Sequence, residues 1–191
     1  MLKEIRIHGR GGQGSVVLAQ FFAIAALEDG KQGQAFPFLG GGGERRGAPI
    51  QAFARISDQP IRLRSRIQTP DYVIVQDATI LAEVNVFAGV KTDSLILINS
   101  EKPAEEQLLN SINRPSAANL VIRTLPATGI AMEIVGKPIP NAALAGAFSA
   151  ISGELSLEAV LNAIEQKLEG DIAEKNIQAA RKGYLMMSPD S

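Results

Sequence analysis

Residues 5–22 read IRIHGRGGQGSVVLAQFF, and the fold turns on how this stretch is read. Gly9, Gly11 and Gly14 fall on a G-x-G-x-x-G spacing. A short apolar strand precedes them (Ile5, Ile7), and an apolar run follows over residues 16–27. Strand, glycine turn and helix in that order is the context of a dinucleotide-binding turn. Such a site also needs an acidic residue ~20 positions on, at the end of the second strand, to hold the ribose. That region reads GKQGQAFPF: Glu28 and Asp29 come too early, and Gln34 is the polar side chain nearest the right place. Two readings stay open. The glycines let the helix pack closely on the strand, or the helix N-terminus presents amides to a phosphate, with Arg10 assisting.

Working outward, residues 3–8 read as a strand and 13–27 as a buried helix, with Gly30 at its C′ position. Residues 32–36 read as a second strand. FPFLGGGGERRGAP, residues 36–49, is a loop, because four consecutive glycines cannot form a regular element cheaply. Residues 50–67 alternate around the turn SDQP and predict a β-hairpin. DYVIVQD and DSLILINS predict buried parallel strands. Residues 78–90 predict a helix between them. KPAEEQLLNSIN predicts a surface helix with Pro103 in its first turn, and NLVIRTLP a further strand. Helices follow over about 127–135, 141–151, 157–168 and 172–187. Asp171 and Glu174 are spaced as a capping box for the last of these. The expected fold is a single domain, 1–191: a three-layer α/β arrangement with a mostly parallel, mixed sheet, an inserted β-hairpin and a helical C-terminus.

Composition removes several classes of function. The 191 residues hold no cysteine and one histidine, His8. Disulfides, thiolate metal sites and iron–sulfur clusters ligated by this chain alone are excluded. So are an ordinary zinc site and a Cys–His pair, and any triad would have to use His8, at the end of a buried strand. No catalytic or metal-ligating set is expected. No apolar run reaches the ~18–20 residues of a membrane span. The start lacks the plan of a signal peptide, so a cytoplasmic location is expected.

Charge is segregated along the chain. Six of the 11 arginines lie at Arg45, Arg46, Arg55, Arg62, Arg64 and Arg66. Residues 44–66 carry six arginines against Glu44 and Asp58, a balance of +4, while the whole chain is −1 and the remainder therefore −5. In a strand, Arg62, Arg64 and Arg66 would share one face and repel, an arrangement that suits an anionic counterpart. A phosphate-rich ligand and an acidic protein surface both fit. Nucleic acid fits poorly, with a pI near 5.9 and few aromatics. A solvated hairpin that deters edge pairing is the plain structural alternative.

GRGGQG and FPFLGGGGERRGAP, followed by RISDQPIRLRS and PDYVIVQD, together closely resemble the gamma subunit of 2-oxoacid:ferredoxin oxidoreductases, the pyruvate enzymes being the nearest type. The resemblance covers residue 3 to about residue 150. The long LGGGGERRG turn departs from the shorter one of many relatives. The resemblance implies an enzyme that oxidatively decarboxylates a 2-oxoacid with coenzyme A to acyl-CoA and carbon dioxide. It implies thiamine diphosphate between alpha and beta subunits and [4Fe-4S] clusters in cluster-bearing, delta-type partners. Electrons would pass to ferredoxin or a flavoprotein, with no cofactor held by this chain alone. Residue by residue, Gly9, Gly11, Gly12, Gln13 and Gly14, with Arg10 among them, match the first motif. Glu44, Arg45, Arg46 and Gly47, with Ala48 and Pro49, match the second. Both are expected to face coenzyme A or another subunit. A stand-alone nucleotide-binding dehydrogenase domain, an anion-binding scaffold and an enzyme of the branched-chain or aryl (phenylglyoxylate) type are the alternatives.

Overall fold

A computed structural model describes residues 1–38, 46–109, 111–112 and 120–188. The leading stretch folds as expected. Strand β1 (Leu2–Arg10) runs into the glycine turn, and helix α1 (Ser15–Glu28) leaves it. Gly30 stands at C′, where its amide and that of Lys31 donate back to the carbonyls of Leu27 and Ala26, a Schellman closure. Strands β2 (Gln32–Phe38), β3 (Pro49–Ser57), β4 (Tyr72–Val75), β5 (Leu95–Asn99) and β6 (Val121–Leu125) complete one sheet, in the order β2-β3-β1-β4-β5-β6. β3 is antiparallel to both neighbours, and β1, β4, β5 and β6 are mutually parallel.

β3 corrects the expected hairpin. The hairpin present is β2–β3, not 50–67, and residues 58–71 form no strand. The reason is topological. Both edges of β3 are already paired, to β1 and to β2, so no ladder remains for a returning arm. Side chains take the carbonyls of that arm instead. Arg55, fully buried, donates to Leu63 O at 3.3 Å and Ser65 O at 2.6 Å, and Gln34 donates to Leu63 O at 3.0 Å. The segment lies over β2 and β3 like a strap, held by side chains where a strand would use its main chain.

The helix expected over 78–90 shrinks to one 3-10 turn, Ala78–Ala82. Asn85 Oδ1 accepts from the Phe87 amide, a local bond that competes with helix. Arg6, from β1, takes the carbonyls of Val86 and Ala88 at 3.0 and 2.6 Å. One sheet face is therefore covered by this irregular chain and by the short helix α2 (Ala104–Leu109), around Val73, Val75, Ile80, Leu81, Ile96 and Ile98.

Helices cover the other face. They are α1, α3 (Ala127–Ile134), α4 (Asn141–Ser152), α5 (Leu157–Lys167) and α6 (Gly170–Met187). Ile5, Ile7, Ala52, Ala54 and Ile74 meet them there. The two faces follow from the strand alternation of β1, with Ile5 and Ile7 on one side and Arg6 and His8 on the other. α4 is buried from Asn141 to Ser149, and Phe148 meets the rings of Phe22 at 4.7 Å and Tyr72 at 5.1 Å. α4 and α6 approach at glycines: a Cβ on Gly146 would lie 1.9 Å from Ala180 O, and one on Gly183 2.1 Å from Ala143 O. The capping box is also corrected. α6 begins two residues earlier, with Glu169 at the N-cap making no side-chain cap, and Asp171 pairs with Lys175 at 2.8 Å.

Candidate functional site

The glycine turn ends β1 at the carboxyl edge of the sheet. Gly14 is the N-cap of α1 with φ +77°, a left-handed conformation that a side chain would strain. Its missing Cβ also makes room for Asn141, whose Nδ2 donates to Gly14 O at 3.1 Å and would lie 2.6 Å from that Cβ. Gly9 admits Ser15 and Gln76 in the same way. These contacts belong to a buried amide network. Ser15 Oγ donates to Gln76 Oε1 at 2.6 Å, and Gln76 Nε2 donates to Asn141 Oδ1 and, at 3.2 Å, to Gln13 O. Gln13 in turn accepts from the Arg10 amide at 2.9 Å and donates to Asp77 at 2.8 Å.

The two sequence motifs meet here through the main chain. The Gly11 amide donates to Ala48 O at 2.9 Å, the Gly47 amide donates to Gly11 O at 3.1 Å, and Gly11 and Arg46 form a parallel bridge. Segments 35 residues apart in sequence are thus zipped side by side. The zipper occupies the Gly11 amide, and the Gln13 amide turns back to Arg10 O at 3.0 Å. Two of the turn's amides are therefore already bonded within the chain.

Arg10 is occupied as well. Its guanidinium donates to Gly47 O at 3.0 Å and Thr79 Oγ1 at 2.6 Å, and pairs with Glu83 at 2.5 Å and Asp77 at 3.3 Å. Its hydrogen bond to Glu83 raises the Arg10 pKa and holds the Glu83 carboxyl below its usual range. Burial works against charge on Asp77, but hydrogen bonds from Thr79 and Gln13 outweigh it and lower the pKa. Arg10 is a buttress of the turn. Arg46 differs: it is exposed, beside Gly12, and its guanidinium has no partner among the described residues. Glu44 and Arg45 lie outside the described residues.

Beside the turn opens a cleft of about 680 Å³. Gly12 and Gln13 follow β1, Gln76 and Asp77 follow β4, Asn99 closes β5, and Thr128 follows β6. Lys137 and Ile139 line the cleft as well. Asn99 ties the floor together, donating to Gln76 O and Thr128 Oγ1, each at 2.8 Å. The cleft lies at the carboxyl ends of parallel strands, where the chain leaves β1 to one side and enters β4 on the other. Ligands of open α/β sheets bind at such a switch point. The motifs alone did not point to Gln76, Asp77, Lys137 or Asn141. The first two were accessible as the polar end of DYVIVQD, at the carboxyl end of a buried strand. No three-residue cluster of His, Asp and Glu that could hold a metal occurs among the described residues.

The same topology argues against NAD. In a dinucleotide fold the second strand lies next to the first, ~4.8 Å away. Here β3 intervenes, so the end of β2 is a further strand spacing out. Gln34 points its amide into the strap and accepts from Arg55 at 3.0 Å.

A family model described as pyruvate ferredoxin/flavodoxin oxidoreductase matches residues 4–186. The chain belongs to this family, as a gamma subunit. Subunit PorC of pyruvate synthase from Methanosarcina barkeri is 53% identical over 163 residues, 85% of each chain. The gamma subunit common to the pyruvate and ketoisovalerate oxidoreductases of Thermococcus kodakarensis is 46% identical over 181 residues, 95% of each. The crystal structure of pyruvate oxidoreductase subunit PORC from Thermotoga maritima superposes with a TM-score of 0.82 at 36% identity, covering 96% of each chain. The gamma subunit is thus part of a multi-subunit oxidoreductase acting on the oxo group of a 2-oxoacid, and other subunits are its partners. This displaces the stand-alone dehydrogenase reading. No helix among the described residues is long and apolar enough to cross a membrane.

Proposed function

We propose that this gamma subunit, acting as one domain over 1–191, receives coenzyme A for a pyruvate-type reaction in the cytoplasm and itself supplies no reacting group. Thiamine diphosphate and [4Fe-4S] clusters belong to alpha, beta and delta-type partners, and electrons leave to ferredoxin or a flavoprotein. The chain has no cysteine to ligate a cluster, and its one imidazole is buried on the sheet face, outside the cleft.

The observation that carries the reading is the zipper between Gly11 and residues 46–48. It fixes Arg46 beside Gly12, a residue of the cleft's lip, with no partner for its charge among the described residues. Lys137 also lines the cleft. A lysine in the lining of a cleft at the carboxyl ends of strands, with an arginine beside its lip, suits the phosphates of a nucleotide-bearing co-substrate, and an arginine can fork onto a phosphate. Gly9, Gly11, Gly12, Gln13, Gly14 and Arg10 shape that lip. Glu44, Arg45 and Gly47 complete the second motif. Pyruvate is the proposed 2-oxoacid, with its recognition left to the partner subunits. A gamma subunit common to a pyruvate and a ketoisovalerate enzyme in Thermococcus kodakarensis supports that division.

Hydrogen–deuterium exchange on the assembled enzyme tests the site. Coenzyme A is expected to slow exchange in peptides covering residues 9–14, 46–48 and 76–79. Protection confined to other subunits, with these peptides unchanged, refutes it.

A further inference from the structure

The cleft leaves one charged region of the chain unexplained. Arg62, Arg64 and Arg66 are all exposed, and none has a hydrogen bond or ion pair among the described residues. That sets them apart from Arg6, Arg10, Arg55, Lys3, Lys91, Lys102, Lys175 and Lys182, each of which has a partner. The three arginines sit on the strap, and Arg55 and Gln34 fix that strap by the carbonyls of Leu63 and Ser65. Their backbone is therefore preorganised, and ordering it on binding costs little.

At one end of the strap, Arg66 lies over the Phe38 ring, 3.6 Å from its centroid. Arg66 and Phe38 line a pocket of about 170 Å³ together with His8, Gln51, Ile50 and Val84. His8 is 1% exposed, and its Nε2 has no hydrogen-bond partner among the described residues. A buried polar atom without a partner is uncommon, and a ligand group or an ordered water is the usual remedy. An imidazole and a guanidinium lining one small pocket form a carboxylate-sized receptor, in which both groups donate and the arginine supplies the charge.

We propose that the strap docks an acidic segment of another subunit of the enzyme, Arg62, Arg64 and Arg66 pairing with its carboxylates and one carboxylate entering the pocket lined by His8 and Arg66. Three exposed arginines within five residues present more positive charge than a single small carboxylate balances. Residues 61–66 carry three arginines and no acidic residue within a chain of net charge −1, so the positive charge is concentrated on the strap. The inference rests on the chain being one subunit of several and is independent of the coenzyme A site.

The chain suits a direct test, because it has one histidine and no cysteine. Arg64→Cys gives this chain a single attachment point for a photo-crosslinker, introduced before the chain is combined with its partner subunits. The crosslinked partner peptide is expected to be rich in Asp and Glu. The triple variant Arg62→Glu, Arg64→Glu, Arg66→Glu is expected to keep its melting temperature as an isolated chain and to bind its partners at least ~tenfold more weakly, since like charges then face each other. In the labelled chain, the one imidazole signal is expected to move on assembly and to ignore millimolar acetate or pyruvate. The proposal is overturned if the triple variant assembles normally, or if the crosslinked peptide carries no carboxylates. It is equally overturned if free acetate or pyruvate moves the His8 signal while assembly does not, which would make the pocket a small-anion site, or if neither moves it, which would leave a water in the pocket.

Discussion

The guanidinium of Arg55 donates to the main-chain oxygen of Ser65 at 2.6 Å while its Nε pairs with Glu4 at 2.9 Å. One fully buried cation thereby joins β1, β3 and a segment with no secondary structure of its own. Removing it strands Glu4 and two carbonyls. Arg55→Ala is expected to cost about 3 kcal/mol in urea unfolding. Arg55→Lys should recover little, because an ammonium cannot span the fork of acceptors. Trypsin should cut the Arg55→Ala chain faster after Arg62 and Arg64, where the strap has been released.

The amide network behind the glycine turn should behave as a unit. Gln76→Leu and Asn141→Leu each leave a buried amide unpaired, worth about 1–3 kcal/mol. Because Gln76 and Asn141 bond directly, the double variant should lose less than the sum of the two. A double-mutant cycle by denaturant unfolding with a coupling near zero would show that the turn is held some other way.

His8 gives the chain an acid-sensitive core. Burial, and then the charge of Arg6, lower its pKa from 6.5 to about 3. The unfolded imidazole binds a proton between those values and the folded one does not. The contribution of His8 is therefore complete above about pH 6.5 and is lost as the pH falls toward 3. In the isolated chain the imidazole should remain neutral at pH 5 by nitrogen chemical shift. His8→Gln should flatten the fall of melting temperature through that window. An imidazole that titrates near 6.5 in the folded chain would contradict the buried placement.

Periodicity made the core legible. Apolar runs marked β4 and β5, and the glycine spacing marked the β1–α1 corner, because burial on both sheet faces leaves a direct trace in residue type. Where the reading failed, a long-range polar contact had overridden a local pattern. Residues 61–67 alternate as a strand does, but β3 had no free edge and Arg55 captured the carbonyls. Residues 78–90 look helical, but Asn85 and the distant Arg6 claimed the backbone. Arg55 itself could not be told from its surface neighbours by sequence, since burial of an arginine depends on acceptors brought from elsewhere. At the site, both motifs were visible. Their zipper, and the roles of Gln76 and Asn141, required the fold.

Arg46 bears most directly on the coenzyme A assignment. In the assembled enzyme, Arg46→Ala should raise KM for coenzyme A about ten- to a hundredfold, the loss of one charge-assisted contact of about 1.5–3 kcal/mol. Decarboxylation of the 2-oxoacid and co-purification of the subunits should be largely unchanged, because Arg46 touches neither the amide network nor the strap. An Arg46→Ala enzyme that assembles fully and keeps the wild-type KM for coenzyme A would contradict the account.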